Sequence, residues 1–416
     1  MTDFVAKRIR FQNGERHSVL ARPSGLPVHE VTLYLNRYRR KGRAANTIHF
    51  VCASLALLYR ELSDAQIDLL QRLRNGRFLS LPEVARVAEA AQYWMDDLSS
   101  DNSESGSNVI DIKRIRMRRK GPEMERRAVD VAVRASRLRY IADYLEFIVT
   151  YFVVTLSAAS RSELEMQSTV VLKALRAEIP PVSRRSKLGA REGLSEEDQD
   201  RILRAIAPDS PENPWKRAFV RRRNWLIVVL MLATGMRKSE LLGLKITDLN
   251  PNQPKLRIMR RADDKEDSRL VEANTKTNDR ELELTPVIMK QLWEYINKDR
   301  HAIRAARKHR FLIVADDGSQ LSSQSIDKLF LQLRGACPGL PVTLTSHVLR
   351  HTWNERFSEQ ADLMGLGEAE EEKARNEQQG WATDSKTAGT YTRRHTARKG
   401  RELALRLQEK LDVADQ

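Results

Sequence analysis

Three stretches decide the fold of this chain: ATGMRKSELLGL (residues 233–244), TSHVLRHTW (residues 345–353) and GWATDSKTAGTYT (residues 380–392). In that order they supply two arginines, a histidine and a tyrosine, namely Arg237, His347, Arg350 and Tyr391. Two guanidinium groups can hold both non-bridging oxygens of a phosphate, and a phenol can attack the phosphorus. The set therefore indicates phosphodiester chemistry.

Each of these residues also has an ordinary structural explanation. Arg237 can be a surface arginine that pairs with Glu240 one turn later. His347 and His351 are four residues apart, so on a helix they share a face, where they could bind zinc, cap or pack. Zinc is the weaker explanation, because HVLRH lacks the glutamate of HExxH and no Cys or His cluster supplies further ligands.

Tyr391 is distinguished by position. Of the nine tyrosines, only Tyr295 and Tyr391 lie beyond residue 193, and only Tyr391 follows the HxxRH cluster. The apolar spacing of LWEYI predicts that Tyr295 is a core residue, whereas Tyr391 is either a nucleophile or a buried or interface side chain. Trp381, ten residues earlier, can be a core residue or a donor of one indole hydrogen bond.

In its order and local patterns, this set resembles the active-site signature of the tyrosine recombinases, the phage integrase family. The resemblance implies catalytic roles for Arg237, Lys276, His347, Arg350, Trp381 and Tyr391, and supporting roles for Glu240 and His351. Tyr391 would be the nucleophile and Lys276 the general acid for the leaving 5′ hydroxyl, with Lys265 a weaker competitor. Trp381 stands where the family usually has a histidine, which implies positioning rather than proton transfer.

The resemblance further implies a site-specific DNA recombinase that works through a 3′-phosphotyrosyl intermediate, to integrate, excise or resolve a mobile element. It implies double-stranded DNA as the partner, a tetramer on that DNA, and no metal, ATP or other cofactor. Two alternatives stay open: a catalytically inactive DNA-binding regulator of the same fold, and a type IB-like topoisomerase.

The composition is compatible with this expectation. Lys and Arg number 72 against 56 Asp and Glu, a net charge of +16, in a chain that is 41% hydrophobic. Such a chain can form cores and still present a positive surface to nucleic acid, although charge alone does not separate DNA from RNA or anionic lipid. The N-terminus has no apolar signal segment, and the two cysteines are far apart, so a reducing cytoplasm is expected. Together with the family resemblance, this implies a bacterial protein at the nucleoid.

The sequence predicts a mainly α-helical fold with a small antiparallel β-sheet. A basic arm (residues 1–25), broken by Asn-Gly and prolines, precedes a helical core DNA-binding domain (26–178), a basic linker (179–193) and a catalytic domain (194–416). In the catalytic domain, alternating leucines and charges in PKLRIMRR and TNDRELELTP predict two strands, with Lys276 on their hairpin. The apolar runs that begin at Phe147 and Trp225 are too short to span a membrane and predict core helices.

A dense basic cluster lies in the N-terminal part of the chain and a smaller one in the linker. We expect phosphate contacts from Lys113, Arg114, Arg116, Arg118, Arg119, Lys120, Arg184 and Arg185. The alternative for the larger cluster is a solvated helix face.

Two features near the C-terminus complete the prediction. The segment between Arg350 and Tyr391 is longer than the family usually has and contains the acidic run GEAEEEKARNE, which predicts an inserted loop or an extended helix. Such an insertion could alter assembly without touching the catalytic set. Leu403, Leu407 and Leu411 recur one turn apart, either as intramolecular core or, by the resemblance, as a helix that docks on a neighbouring subunit.

Overall fold

The structure is a computed structural model, and it describes residues 4–95, 126–182, 193–275, 277–382, 385 and 393–412. It contains two compact units, Met1–Phe11 with Arg16–Ser186 and Gln12–Glu15 with Lys187–Gln416. Both are mainly helical, and within the described ranges each holds one two-stranded antiparallel sheet. The predicted fold class is confirmed, with one sheet more than the sequence analysis anticipates.

The first unit consists of a β-hairpin and six described helices: β1 (Val5–Arg10), β2 (Arg16–Ala21), α1 (His29–Arg40), α2 (Ala45–Asp64), α3 (Leu69–Arg74), α4 (Leu81–Ala90), α5 (Val131–Val153) and α6 (Ala158–Ala177). Side-chain caps set several helix starts, because the first backbone N–H groups of a helix lack internal partners. Asp130 accepts a hydrogen bond from the backbone of Ala132 at 2.8 Å, and Ser80 begins α4 with a capping box and a proline in the first turn. The apolar run from Phe147 lies in α5, where Ile148 is fully buried.

Residues 5–21, for which the sequence analysis predicts an irregular arm, form strands instead. β1 pairs with β2 from Val5↔Ala21 to Arg10↔Arg16. The second strand is buried, with Ser18 and Leu20 fully enclosed in the first unit. The Asn-Gly pair that suggests a break is also a typical hairpin turn, and the burial of β2 supplies the stabilisation that a basic arm would lack.

The second unit contains eight described α-helices and a second hairpin: α7 (Glu196–Ile206), α8 (Ala218–Thr234), α9 (Lys238–Gly243), β3 (Lys255–Ile258), β4 (Arg280–Glu283), α10 (Pro286–Glu294), α11 (Ser323–Ala336), α12 (Ser346–Leu363), α13 (Glu368–Gln379) and α14 (Arg393–Asp412). Ser195 caps α7 by accepting a hydrogen bond from the backbone of Asp198 at 3.1 Å. The apolar run from Trp225 lies in α8, where Leu226 and Leu230 are fully buried, and Tyr295 is likewise a core residue, as predicted.

The predicted strands of the second unit are confirmed. β3 pairs with β4 in the register Leu256↔Leu282 and Ile258↔Arg280, and these four side chains face inward. Their connection is long, residues 259–279, and Lys276 falls near its end, among the residues that the structure does not describe.

The segment after Arg350 is neither a loop nor one extended helix. α12 ends at Leu363, and the acidic run begins the separate helix α13, which ends at Gln379 and is followed by the capping residue Gly380, with a left-handed φ of 63°. Further along, Leu403 and Leu407 of α14 are 61% and 66% exposed, so these two do not join the core of the second unit. Among the described helices, none is both long and apolar enough to cross a membrane.

Candidate active site

Arg237 lies at the junction of α8 and α9. Gly235 ends α8 with a φ of 62°, and Arg237 is the extended residue that immediately precedes α9, rather than a residue of its first turn. Its backbone N–H donates to Glu240 Oε2 at 2.9 Å, and its Nη1 donates to Glu240 Oε1 at 3.2 Å. The pairing that would suit an ordinary surface arginine is thus present, but the carboxylate is fully buried.

Glu240 connects this junction to the β3–β4 hairpin. Its Oε1 accepts a hydrogen bond from Thr277 Oγ1 at 2.7 Å, and its Oε2 accepts one from Arg280 Nη2 at 2.8 Å. Burial by itself would raise the pKa of Glu240, but the charge and hydrogen bonds of Arg280, the Arg237 N–H and the charge of Arg350 together lower the pKa to about 2. Glu240 is therefore an anion that holds several donors in place.

His347 and Arg350 both lie on α12. Arg350 is 1% exposed, and its Nη1 donates to the backbone oxygen of Gly235 at 2.6 Å, two residues before Arg237. The rings of His347 and His351 meet edge to face, with centroids 4.8 Å apart, as their helical spacing predicts. α12 thus brings the second arginine of the motif to the junction that bears the first.

Trp381 reaches the same place from α13. It is buried, its backbone N–H donates to Asn376 O at 2.9 Å, and the guanidinium of Arg350 lies 5.2 Å from the centre of its ring. The preceding Gly380 accepts a hydrogen bond from the backbone of Asn278 at 2.9 Å. Trp381 is therefore both a packed residue and a member of the motif cluster.

The cluster can stabilise negative charge. Two guanidinium groups, from the α8–α9 junction and α12, act on one buried carboxylate, and α12 also carries the half-buried imidazole of His347. Guanidinium donors suit phosphate oxygens, and donors that are already positioned need no reorganisation when charge develops. Among the described residues, no group of three or more His, Cys, Asp or Glu could hold a metal ion.

Several predicted residues lie outside the described ranges, and their roles stay predictions. They are Tyr391, Lys276, Lys113, Arg114, Arg116, Arg118, Arg119, Lys120, Arg184 and Arg185. The weaker candidate Lys265 is exposed in the β3–β4 connection.

Two buried arginines lie beside the predicted site residues and are not among them. Arg280 bonds Glu240, and the alternation of β4 could have revealed it, because Arg280 shares the inward face with Leu282. Arg375 of α13 donates to Asn354 O at 2.7 Å and to Ser358 Oγ at 2.8 Å, both on α12. It offers no such signal, because it occurs in a run that looks solvated.

The helix that contains the acidic insertion, α13, packs beside the motif cluster. Gln379, the last residue of α13, is fully buried and donates from Nε2 to Thr234 O at 3.2 Å, beside the Arg237 junction. The backbone oxygen of Gln378 accepts a hydrogen bond from Arg280 Nε at 2.8 Å. The end of α13 is therefore part of the site. Arg375 fixes this helix against α12.

Comparisons with known proteins place these residues in a family. Residues 192–398 match the phage integrase family. No curated protein matches the chain in sequence. Similar solved structures include XerA recombinase, at 20% identity over 61% of this chain and 77% of that chain with a TM-score of 0.35.

Two further structures are similar over more of the chain. The Tn1549 transposon integrase (residues 82–397), in complex with circular intermediate DNA, is 15% identical over 87% of this chain and 94% of that chain, with a TM-score of 0.47. Lambda integrase (residues 75–356), bound to DNA, is 14% identical over 87% of this chain and 94% of that chain, also with a TM-score of 0.47. By the family match, which spans the cluster around Arg237 and Arg350, the chain belongs to the phage integrase family, the tyrosine recombinase class of enzymes.

Proposed function

We propose that this protein is a site-specific DNA recombinase that cleaves and rejoins double-stranded DNA through a 3′-phosphotyrosyl intermediate at Tyr391. The observation that carries the proposal is that Arg237 and Arg350 meet at the buried carboxylate of Glu240, while Trp381 lies against the guanidinium of Arg350. Three separated stretches of the chain meet there, and the segment with Tyr391 follows Trp381 directly.

In the proposed reaction the Tyr391 phenol gives its proton to water, favoured by the neighbouring positive charge, and its oxygen forms a bond to the scissile phosphorus. The bond from phosphorus to the 5′ oxygen breaks, and that oxygen takes a proton from Lys276. Arg237, Arg350 and His347 would meet the charge on the non-bridging oxygens, and the Trp381 indole would position one of them. The 5′ hydroxyl of another strand then reverses these steps, so the covalent link conserves the bond energy for rejoining.

DNA as partner is supported by the net charge of +16 and by the DNA-bound Tn1549 and lambda integrase structures. We infer that the basic residues 113–120 and the pair Arg184 and Arg185 contact phosphates. By the family resemblance the protein would act as a tetramer on DNA, at the bacterial nucleoid in the cytoplasm, to integrate, excise or resolve a mobile element. The exposed leucines of α14 would dock on a neighbouring subunit.

The central experiment traps the covalent intermediate. Purified protein is incubated with a random-sequence duplex library that carries nicks, so that a short strand released by cleavage diffuses away and the adduct accumulates. The modified peptide is then identified by mass spectrometry. We expect the wild-type protein to form an adduct at Tyr391, Tyr391→Phe to form none, and the matched control Tyr295→Phe to retain it, since Tyr295 is a core residue.

The other outcomes separate the alternatives. An adduct that persists in Tyr391→Phe would show that another residue is the nucleophile. DNA binding without any wild-type adduct would favour an inactive regulator of the same fold. Relaxation of supercoils without exchange between two DNA molecules would favour a topoisomerase. Loss of activity in chelator would contradict the metal-free mechanism.

A further inference from the structure

Arg280 is a buried guanidinium on β4 with hydrogen bonds in three directions. Its Nε donates to Gln378 O at 2.8 Å, its Nη1 donates to Thr277 Oγ1 at 3.0 Å, and its Nη2 donates to Glu240 Oε2 at 2.8 Å. The side chains of Arg280 and Glu240 are 4% and 0% exposed. An ion buried this completely is retained only when its partners compensate the loss of solvation.

These bonds join the separate parts of the candidate site. Glu240 carries the connection to Arg237, whose backbone and side chain both donate to the same carboxylate. Gln378 carries it to the end of α13, two residues before Gly380. A Cβ placed on Gly380 would approach Arg280 Nη1 to 3.0 Å and Asn278 O to 2.7 Å, so the backbone before Trp381 packs closely on this arginine.

We propose that Arg280 is a positioning residue for the transesterification: through Glu240 it fixes Arg237, and through Gln378 it fixes the turn that bears Trp381. Arg280 itself would touch neither the phosphate nor the nucleophile. The inference rests on the proposed function, because the groups that Arg280 positions act in that reaction. A guanidinium is required because its planar fork bonds several acceptors at fixed angles, whereas a lysine ammonium is a point charge on a flexible stem. Displacing a phosphate-binding group by about 1 Å can slow catalysis roughly 100-fold.

Arg300 supplies a matched control. It is also buried in the second unit, and its guanidinium donates hydrogen bonds of 2.7 to 3.0 Å to the backbone oxygens of Phe311, Ala306 and His309. None of these acceptors belongs to the candidate site. Arg280→Lys and Arg300→Lys therefore remove the same fork from two buried settings, one beside the site and one apart from it.

The experiment measures single-turnover adduct formation and DNA affinity for both variants, below their melting temperatures. The DNA is a sequence recovered in the trapping experiment. We expect Arg280→Lys to lower the cleavage rate about 100-fold with DNA affinity changed less than about threefold, because positioning acts on the transition state more than on binding. Arg300→Lys keeps its cleavage rate within about threefold. Should Arg280→Lys fail to fold, Arg280→Gln, which keeps an amide donor, replaces it.

A second substrate tests the route through Arg237. In a methylphosphonate one charged non-bridging oxygen is replaced by a methyl group, so part of the charge that Arg237 would meet is gone. If Arg280 acts through that arginine, the defect of Arg280→Lys shrinks from about 100-fold to below about 10-fold, as in a double-mutant cycle. An equal defect of Arg280→Lys on both substrates, or a wild-type cleavage rate in Arg280→Lys, overturns the inference. The proposed function still stands in either case, because the wild-type protein forms its adduct. If the cleavage rate falls equally in Arg280→Lys and Arg300→Lys, Arg280 contributes to stability alone, and the inference is overturned as well. Absence of any wild-type adduct overturns the proposed function itself, and the inference with it.

Discussion

Each unit contains a buried polar network, and the two networks are of opposite kinds. In the first unit the phenols of Tyr59 and Tyr144 share a 2.6 Å hydrogen bond, and burial raises the pKa of both. In the second unit the network is ionic, with Glu240 paired to Arg280 and the guanidinium of Arg350 nearby. The first network is neutral at physiological pH, whereas the second depends on charge.

The difference matters because the two networks lose stability in different ways. A neutral hydroxyl that loses its partner leaves one unsatisfied group, while a buried ion that loses its partner leaves an uncompensated charge. The charges of the second unit also converge on the candidate site, whereas the phenols of the first unit lie within a hydrophobic core. Stability and catalysis should therefore be coupled in the second unit and independent in the first.

The strongest test of this comparison is Glu240→Gln. The substitution keeps the shape of the side chain and leaves Arg280 buried without its counter-ion, so we expect the second unit to lose about 3–5 kcal/mol of its free energy of unfolding. Urea unfolding monitored by tryptophan fluorescence reports mainly on that unit, because Trp94 is the one tryptophan of the six that precedes residue 193. Glu283→Gln is the control, since that side chain is 82% exposed.

The pH dependence of the same pair sharpens the test. The pKa of Glu240 is about 2, below its ordinary value of 4.5, so its stabilisation is complete above about pH 5 and is lost as the pH falls toward 2. The difference in unfolding free energy between wild type and Glu240→Gln should therefore narrow as the pH falls from 5 to 2. A difference that stays constant would mean that charge is not what Glu240 contributes.

The sequence reveals the two kinds of network unequally. β3 and β4 are predictable because Leu256 and Leu282 alternate with charges, and the Arg237–Glu240 pair is predictable from its spacing and the family pattern. Arg280 is predictable only in part, because the alternation of β4 places it on the inward face with Leu282. Arg375 is not predictable, because a charged residue in a polar stretch looks solvated until tertiary packing shows what surrounds it. The N-terminal hairpin is missed for a related reason, since the burial of β2 is decided by the helices of its own unit and not by its local composition.

Tyr144→Phe tests the neutral network and should have a smaller effect. It removes one hydroxyl and leaves Tyr59 Oη without that bond, so we expect a loss of about 1–3 kcal/mol in the first unit. Hydrogen exchange measured by mass spectrometry should show faster exchange in α2 and α5, with protection in the second unit unchanged. If the rate of adduct formation also fell, by a change in activation free energy as large as the loss of unfolding free energy, the two units would not be independent.

The smallest effect is expected at an exposed ion pair on the same helix as Glu240. Lys238 Nζ lies 2.7 Å from Asp327 Oδ1, but the aspartate is 62% exposed, so water and salt compete for both charges. Asp327→Asn should change the free energy of unfolding of the second unit by less than about 1 kcal/mol and leave the cleavage rate unaltered. Denaturation at low and high salt measures both the size and the screening of the pair. A loss comparable to that of Glu240→Gln would show that proximity to the site, rather than burial of the charge, sets the energetic weight of an ion pair in this unit.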